Sequence, residues 1–278
     1  MQYIKLPLIF CLFFLFSPFL LAQTDSFEIM KSCAALNLDL VDYHIHLRGG
    51  MTAEKALDRW MKTGIRSGVL ENFGRDWPLC NNEKLREFID HAEKVDFQNG
   101  TKELLIGIQV NDRDWFKVID LKQYRRLDYI LADTMIMGTD SKGNPEKLWL
   151  LPKEYSVDAE LWMQRYMEHN LQILDEPIDI LANPTYLPAF VAEKYDILWT
   201  EARMRQIIQK AIDHNIALEI QAESEFPKPR FVELALEMGA KLSFGTNNFD
   251  DHLKNCSSWK KNIQLFNIQN GNLWKTSF

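Results

Sequence analysis

The chain has 278 residues, of which 46% are hydrophobic, and this is enough to bury the core of one sizeable domain. Its formal net charge is -7 and its sequence pI is about 5.5. Since the sequence also has no dense cluster of Lys and Arg, a general basic surface for nucleic acid phosphates is excluded, and nucleic acid is not an expected partner.

The N-terminal segment has the pattern of a secretory signal peptide. Lys5 precedes the apolar run LPLIFCLFFLFSPFLLA, which ends at the small residue Ala22 before polar residues begin at Gln23. The alternative is an uncleaved membrane anchor, but Pro18 interrupts a run already short of the roughly 20 apolar residues that span a bilayer. We therefore expect a signal peptide over residues 1–22 with cleavage after Ala22. The mature chain is then secreted or periplasmic, without stable insertion in a membrane.

The rest of the chain, residues 23–278, alternates β-rich runs with helical patterns, and no linker divides it. Several of the runs are almost continuously apolar, as strands buried on both faces are. The seven runs cover residues 38–47, 65–71, 104–110, 127–133, 177–183, 216–221 and 241–247. This alternation predicts a single α/β domain, a distorted seven-stranded parallel (β/α)7 TIM-like barrel.

Helix start and stop signals lie between the runs. Thr52 is a suitable N-cap for the amphipathic segment that follows it, and Gly64 ends that segment. Pro229 suits the first turn of a later helix, which ends at Gly239. From about residue 258 the chain is expected to form a helical tail whose aromatic side chains pack on the core.

Cysteine usage indicates neither a disulfide framework nor a thiolate zinc site. Apart from the one in the signal segment, the cysteines are Cys33, Cys80 and Cys256, an odd number without C-x-x-C spacing. One bridge is compatible with an oxidising compartment, but the sequence does not choose the pair.

The most distinctive chemical feature is the stretch LVDYHIHLRGG, which places His44 and His46 at the end of the first run. Side chains two apart on a strand share a face, so both imidazoles could bind one cation. The alternative is a pair of core histidines with satisfied hydrogen bonds. Because active sites of parallel α/β barrels lie at the carboxyl ends of the strands, the position favours function.

With these residues in view, the chain resembles the PHP (polymerase and histidinol phosphatase) family. The stretches that carry the resemblance occur in the family's order over roughly residues 38–250, and they are DYHIHL, IGIQV, DYILADTM, DILANP, LEIQ and GAKLSFGTNN. The resemblance implies a distorted seven-stranded barrel that holds up to three divalent metals and hydrolyses phosphate esters.

The chain also departs from the family's metal-binding pattern. Only His44 and His46 stand intact, and the positions of lost imidazoles and carboxylates carry Asn72, Phe73, Gln109, Met135, Asn183, Asn247 and Phe249. Three divalent ions need carboxylates to balance about six positive charges, which amides do not supply. We therefore expect at most one divalent ion (Zn, Mn or Fe), held by His44, His46 and Asp133, or none.

Three functions remain open from the sequence. The first is an exported PHP-like hydrolase with one ion, acting on a small polar substrate such as a phosphoester or a sugar-derived compound. The second is a metal-free, carbohydrate-active enzyme that uses acid–base chemistry, and the third is a pseudoenzyme that binds a ligand without turnover. The predicted catalytic residues are Glu219, His44 and His46, and the predicted substrate-binding residues are Arg48, Glu71, Asn72, Gln109, Asn183, Asn247 and Asn248.

Overall fold

A computed structural model describes residues 18–98, 100, 103–139, 143, 145–222, 226–254 and 256–276. Most of the predicted signal peptide, residues 1–17, lies outside the described residues. The first described helix, Pro18–Ala34, runs through the predicted cleavage position at Ala22. In the described ranges no helix combines the length and the apolar character needed to span a bilayer.

Ten strands and ten α-helices follow one another in the described chain. The strands are β1 (Val41–His46), β2 (Arg66–Leu70), β3 (Asn72–Phe73), β4 (Leu104–Val110), β5 (Tyr129–Asp133), β6 (Ile136–Thr139), β7 (Pro145–Lys147), β8 (Ile180–Ala182), β9 (Ala217–Gln221) and β10 (Leu242–Gly245). The helices are α1 (Pro18–Ala34), α2 (Ala53–Thr63), α3 (Asn82–Gln98), α4 (Trp115–Val118), α5 (Leu121–Tyr124), α6 (Ala159–Ile173), α7 (Tyr195–Leu198), α8 (Glu201–Asp213), α9 (Pro229–Glu237) and α10 (Ser257–Phe266).

Seven parallel strands close into a barrel with the helices around it, which confirms the predicted fold. The strand order is β2-β1-β10-β9-β8-β5-β4, and pairing between β2 and β4 closes the ring. Strand β3 continues along β4 beyond the end of β2, and β6 pairs with β7 in a separate antiparallel hairpin. The carboxyl ends of all seven strands therefore meet at one rim.

The helix signals read from the sequence act as predicted. The Thr52 side chain accepts a hydrogen bond from the Lys55 backbone N–H at the start of α2. Gly64 ends that helix in the left-handed conformation, with φ of 76°. Pro229 occupies the first turn of α9. Backbone N–H groups in a first turn have no intrahelical acceptor, so the N–H that proline lacks costs the helix no hydrogen bond.

Two apolar layers hold the barrel together. The larger layer fills the space between strands and helices, and the smaller one fills the barrel interior with residues that include Tyr43, Tyr129, Leu131 and Trp274. Trp274 comes from the C-terminal tail, and its backbone N–H bonds to the carbonyl of Leu242 at the amino-terminal end of β10. The tail therefore plugs the barrel at the end opposite the rim.

The first strand contains a register shift that the sequence pattern did not predict. The pairing of β1 with β2 shifts between Asp42 and Ile45. As a result the consecutive residues Tyr43 and His44 both meet interior partners, Tyr43 against the ring of Tyr129 and His44 against polar side chains nearer the rim.

No disulfide joins the three cysteines of the described chain. Cys33 and Cys256 are buried, whereas Cys80 is exposed. Burial raises the pKa of the Cys33 thiol to about 11, so this group stays protonated and unreactive at neutral pH.

Candidate active site

A buried imidazole–carboxylate contact lies at the centre of the rim. His44 at the end of β1 places Nδ1 2.6 Å from Oε1 of Glu219 on β9, and both side chains are almost fully buried. On its other side, Nε2 of His44 lies 3.1 Å from Oε1 of Gln109 on β4. Both ring nitrogens therefore face oxygen atoms, an arrangement that favours the doubly protonated imidazolium.

A glycine on the intervening strand leaves the space for this contact. A Cβ atom on Gly245 of β10 would lie 2.0 Å from Oε1 of Glu219 and 2.7 Å from Cβ of His44. No side chain larger than hydrogen fits there unless Glu219 or His44 moves. Gly245 is thus part of the site, although glycine carries no chemistry of its own.

Amide side chains extend the network across the barrel. Gln109 donates from Nε2 to Oδ2 of Asp133 at 3.3 Å, and Asn183 donates from Nδ2 to the other oxygen, Oδ1, at 3.0 Å. The Asn183 backbone N–H donates to Oε2 of Glu219 at 3.0 Å, and Gln221 bonds to Oδ1 of Asn183. Glu219 is therefore fixed from two sides, by His44 and by the main chain after β8.

The second histidine has a different partner. Nδ1 of His46 lies 3.4 Å from Oε1 of Glu71, which also accepts the Asn72 backbone N–H at 2.8 Å. Arg48 places Nη1 3.3 Å from the same oxygen, and its side chain is 40% exposed. The rings of His44 and His46 are 5.2 Å apart between centroids, so the two imidazoles lie side by side as predicted.

The environments of the two histidines move their pKa values in opposite directions. Burial acts to lower the pKa of His44, but the charge and hydrogen bond of Glu219 outweigh it, and the pKa is raised above its ordinary 6.5. Burial dominates at His46 and lowers its pKa to about 4. Burial also raises the pKa of Asp133 above its usual 3.8. One imidazole is thus held protonated next to one held neutral.

His44 is held in position by a buried ion pair that the sequence did not reveal. Arg59 of α2 donates to Oδ2 of Asp42 at 3.2 Å, and Thr246 donates to Asp42 from its backbone and its hydroxyl. The other Asp42 oxygen accepts the His44 backbone N–H at 3.2 Å. Strict alternation would place Asp42 on the same face as His44, but the register shift turns it toward the helices.

The remaining predicted residues divide into two groups. Asn72 pairs in register with Gln109 and belongs to the rim. Asn247 is partly exposed, and no described side-chain contact joins it to the network; its backbone has φ of 48°. Asn248 pairs with Ile45, whose side chain packs in the larger apolar layer between strands and helices. The Asn248 side chain donates to the Asp250 carbonyl. Of the predicted amides, Asn72, Gln109 and Asn183 therefore come together at the rim, whereas Asn247 and Asn248 do not join them.

The predicted set of ligands does not fit a divalent ion. Gln109 stands between His44 and Asp133, and the nitrogens of His44 face Glu219 and Gln109. Across the part of the chain that the structure describes, no three His, Cys, Asp or Glu side chains group so that they could hold a metal. The donor set expected for one ion, His44, His46 and Asp133, is therefore incomplete as arranged.

One sizeable cavity lies away from the rim. It measures about 990 Å³ and lies at the amino-terminal end of the barrel, where Tyr43, Arg66, Asp128 and Lys275 are among the residues that line it. It contains none of the residues of the His44–Glu219 network.

The sequence matches no protein-family model and no curated protein. Among solved structures, the chain is similar to an HpcH/HpaI aldolase from Desulfitobacterium hafniense DCB-2, with a TM-score of 0.35. The two sequences are 9% identical, and the similarity covers 77% of this chain and 88% of the aldolase chain. A similarity at this level assigns no activity.

Proposed function

We propose that this chain is an enzyme that acts on a small polar substrate at the rim of the barrel by general acid–base chemistry. The observation that supports this most is the buried contact of 2.6 Å between His44 and Glu219 beside a second, neutral histidine. Two titratable groups whose surroundings separate their pKa values are the usual mark of an acid and a base in one site.

The roles follow from the proton positions. His44, protonated and oriented by Glu219, is the general acid, because a substrate oxygen that replaces Oε1 of Gln109 receives the proton from Nε2. His46 is the general base, since burial keeps it neutral and Glu71 at Nδ1 leaves the Nε2 lone pair for the substrate. Arg48, Gln109 and Asn183 orient the substrate.

The PHP resemblance makes hydrolysis the reaction to test first. An exported PHP-like hydrolase with a single metal ion is the second candidate, because a neutral His46 has the lone pair that metal binding requires. No step is assigned to such an ion, since the surrounding side chains do not complete its coordination. A pseudoenzyme that binds without turnover is the third candidate.

The test compares purified wild-type protein with Glu219→Gln in a mixture of small metabolites, with mass spectrometry used to detect compounds consumed or formed. Wild type is expected to convert at least one compound, and Glu219→Gln is expected to slow this conversion by about 100-fold or more, as loss of a catalytic proton-transfer partner does. Asp179→Asn is the matched control, because Asp179 is a half-buried carboxylate that accepts the Ile130 backbone N–H at 2.7 Å near the amino-terminal end of β5, away from the rim. Equal conversion by Glu219→Gln and wild type would contradict the proposal.

A further inference from the structure

Two asparagines at the rim each carry a buried polar atom without a partner in the described structure. Asn72 is 4% exposed and Asn111 is 6% exposed. Oδ1 of Asn72 and Nδ2 of Asn111 make no hydrogen bond to any described residue. A buried polar group is normally paired, so an unpaired one in a rim position points to a partner that binds there.

One open atom lies on β3 and the other on the residue that directly follows β4, and both residues face the inside of the barrel. Asn72 pairs in register with Gln109, whose side chain points inward to His44, so Asn72 shares that face. Asn111 lies two residues beyond Gln109 and accepts its Nε2 proton at 3.3 Å. One open acceptor and one open donor therefore border the position where a substrate oxygen would meet His44.

The charges around these atoms disfavour an anionic ligand. Glu71, Asp133 and Glu219 bring three carboxylates to this part of the rim, each at most 6% exposed. Each nearby cation already has a carboxylate partner: the His44 imidazolium pairs with Glu219 at 2.6 Å, Arg48 with Glu71 at 3.3 Å and Arg113 with Glu176 at 3.1 Å. A phosphate dianion would have to lose its hydration among carboxylates without a free cation opposite it, which is costly.

Hydroxyl groups meet the same requirements without this cost. An amide offers donors and an acceptor, and a hydroxyl both donates and accepts, so the pair is complementary in either orientation of the amide. Resting on the proposed function, we infer that the substrate is a neutral polyhydroxylated molecule, of the sugar or polyol class, whose hydroxyls bind Asn72 and Asn111. The phosphoester is thereby the disfavoured member of the two substrate classes that the sequence left open.

The experiment is isothermal titration calorimetry of the full chain with a defined panel. The neutral probes are glucose, galactose, mannose and myo-inositol, and the anionic probes are the 6-phosphates of the three sugars, inositol monophosphate and inorganic phosphate. At least one neutral probe is expected to bind, and its phosphorylated counterpart is expected to bind at least tenfold more weakly. Tighter binding of the phosphorylated probe, or no binding of any neutral probe, would overturn the inference.

Single variants then test the two amides. Asn72→Ala and Asn111→Ala are each expected to weaken binding of the neutral probe by about tenfold, which corresponds to one hydrogen bond. The thermal midpoint of Asn72→Ala is expected not to fall, because no described hydrogen bond to Oδ1 is lost. Asn170→Ala is the matched control, since Asn170 is fully buried on α6 and also has an unpaired Oδ1, and its binding is expected to match wild type.

The binding and turnover results separate this inference from the proposed function. If Glu219→Gln binds the neutral probe as wild type does but converts nothing, both stand. If wild type binds the probe but no variant or substrate shows turnover, the ligand class stands and the proposed function fails. If turnover depends on Glu219 but neither asparagine variant weakens binding, the ligand contacts proposed here are wrong.

Discussion

Substitution of Gly245 by alanine tests the geometry of the site most sharply with a single methyl group. The added Cβ would lie 2.0 Å from Oε1 of Glu219 and 2.7 Å from Cβ of His44, so the two side chains must separate. Overpacking of a core costs about 1–3 kcal/mol. Loss of a hydrogen bond to a charged group costs about 1.5–3 kcal/mol more. The expected loss of unfolding free energy is therefore about 2.5–6 kcal/mol, accompanied by loss of activity.

Urea unfolding followed by tryptophan fluorescence measures this loss, with the slope of the unfolding curve compared between variants. Gly271→Ala is the control, because a Cβ there meets no atom within 4 Å and the variant should stay within about 0.5 kcal/mol of wild type. Adding Glu219→Asp to Gly245→Ala withdraws the carboxylate by one methylene, so the double variant should be more stable than the sum of the single effects predicts. A Gly245→Ala protein as stable as wild type would refute the packing described around Glu219.

Three further predictions concern other parts of the molecule. Arg59→Ala leaves Asp42 buried without its partner and should cost about 3–5 kcal/mol in unfolding free energy, whereas Lys62→Ala, which removes an exposed pair with Asp58, should cost at most about 1 kcal/mol in the same urea assay. Elemental analysis of protein purified without chelator should find at most one divalent ion per chain, and two or three would show that carboxylates were wrongly excluded as ligands. N-terminal sequencing of exported protein should begin at Gln23, and an intact Met1 would contradict the signal peptide.

The barrel could be predicted from the sequence because its strands have a distinctive hydrophobic pattern. Strands such as Leu104–Val110 and Tyr129–Asp133 are buried on both faces and so appear as short, nearly continuous apolar runs. The hairpin of β6 and β7 has no such hydrophobic pattern, since much of it is exposed and it packs outside the barrel. The fold class could therefore be predicted from the pattern of buried apolar residues, whereas the hairpin outside the barrel could not.

The site was harder to predict because its geometry depends on departures from regular strands. Strict alternation places His44 and His46 together, which is correct, but it also places Asp42 beside them, which the register shift prevents. The position of Gln109 between His44 and Asp133 depends on side chains from three strands meeting in the barrel, and no spacing along one strand encodes that. The space that Gly245 leaves is likewise visible only once Glu219 is placed.

The roles proposed at the rim depend on one imidazole being held protonated by Glu219 while its neighbour is held neutral. Nuclear magnetic resonance of protein labelled with ¹⁵N-histidine, titrated with pH and assigned with His44→Gln and His46→Gln variants, measures both states directly. We expect His44 to titrate above 6.5 and His46 to titrate at about 4. A His44 that titrates below His46, or two histidines that both titrate near 6.5, would contradict it.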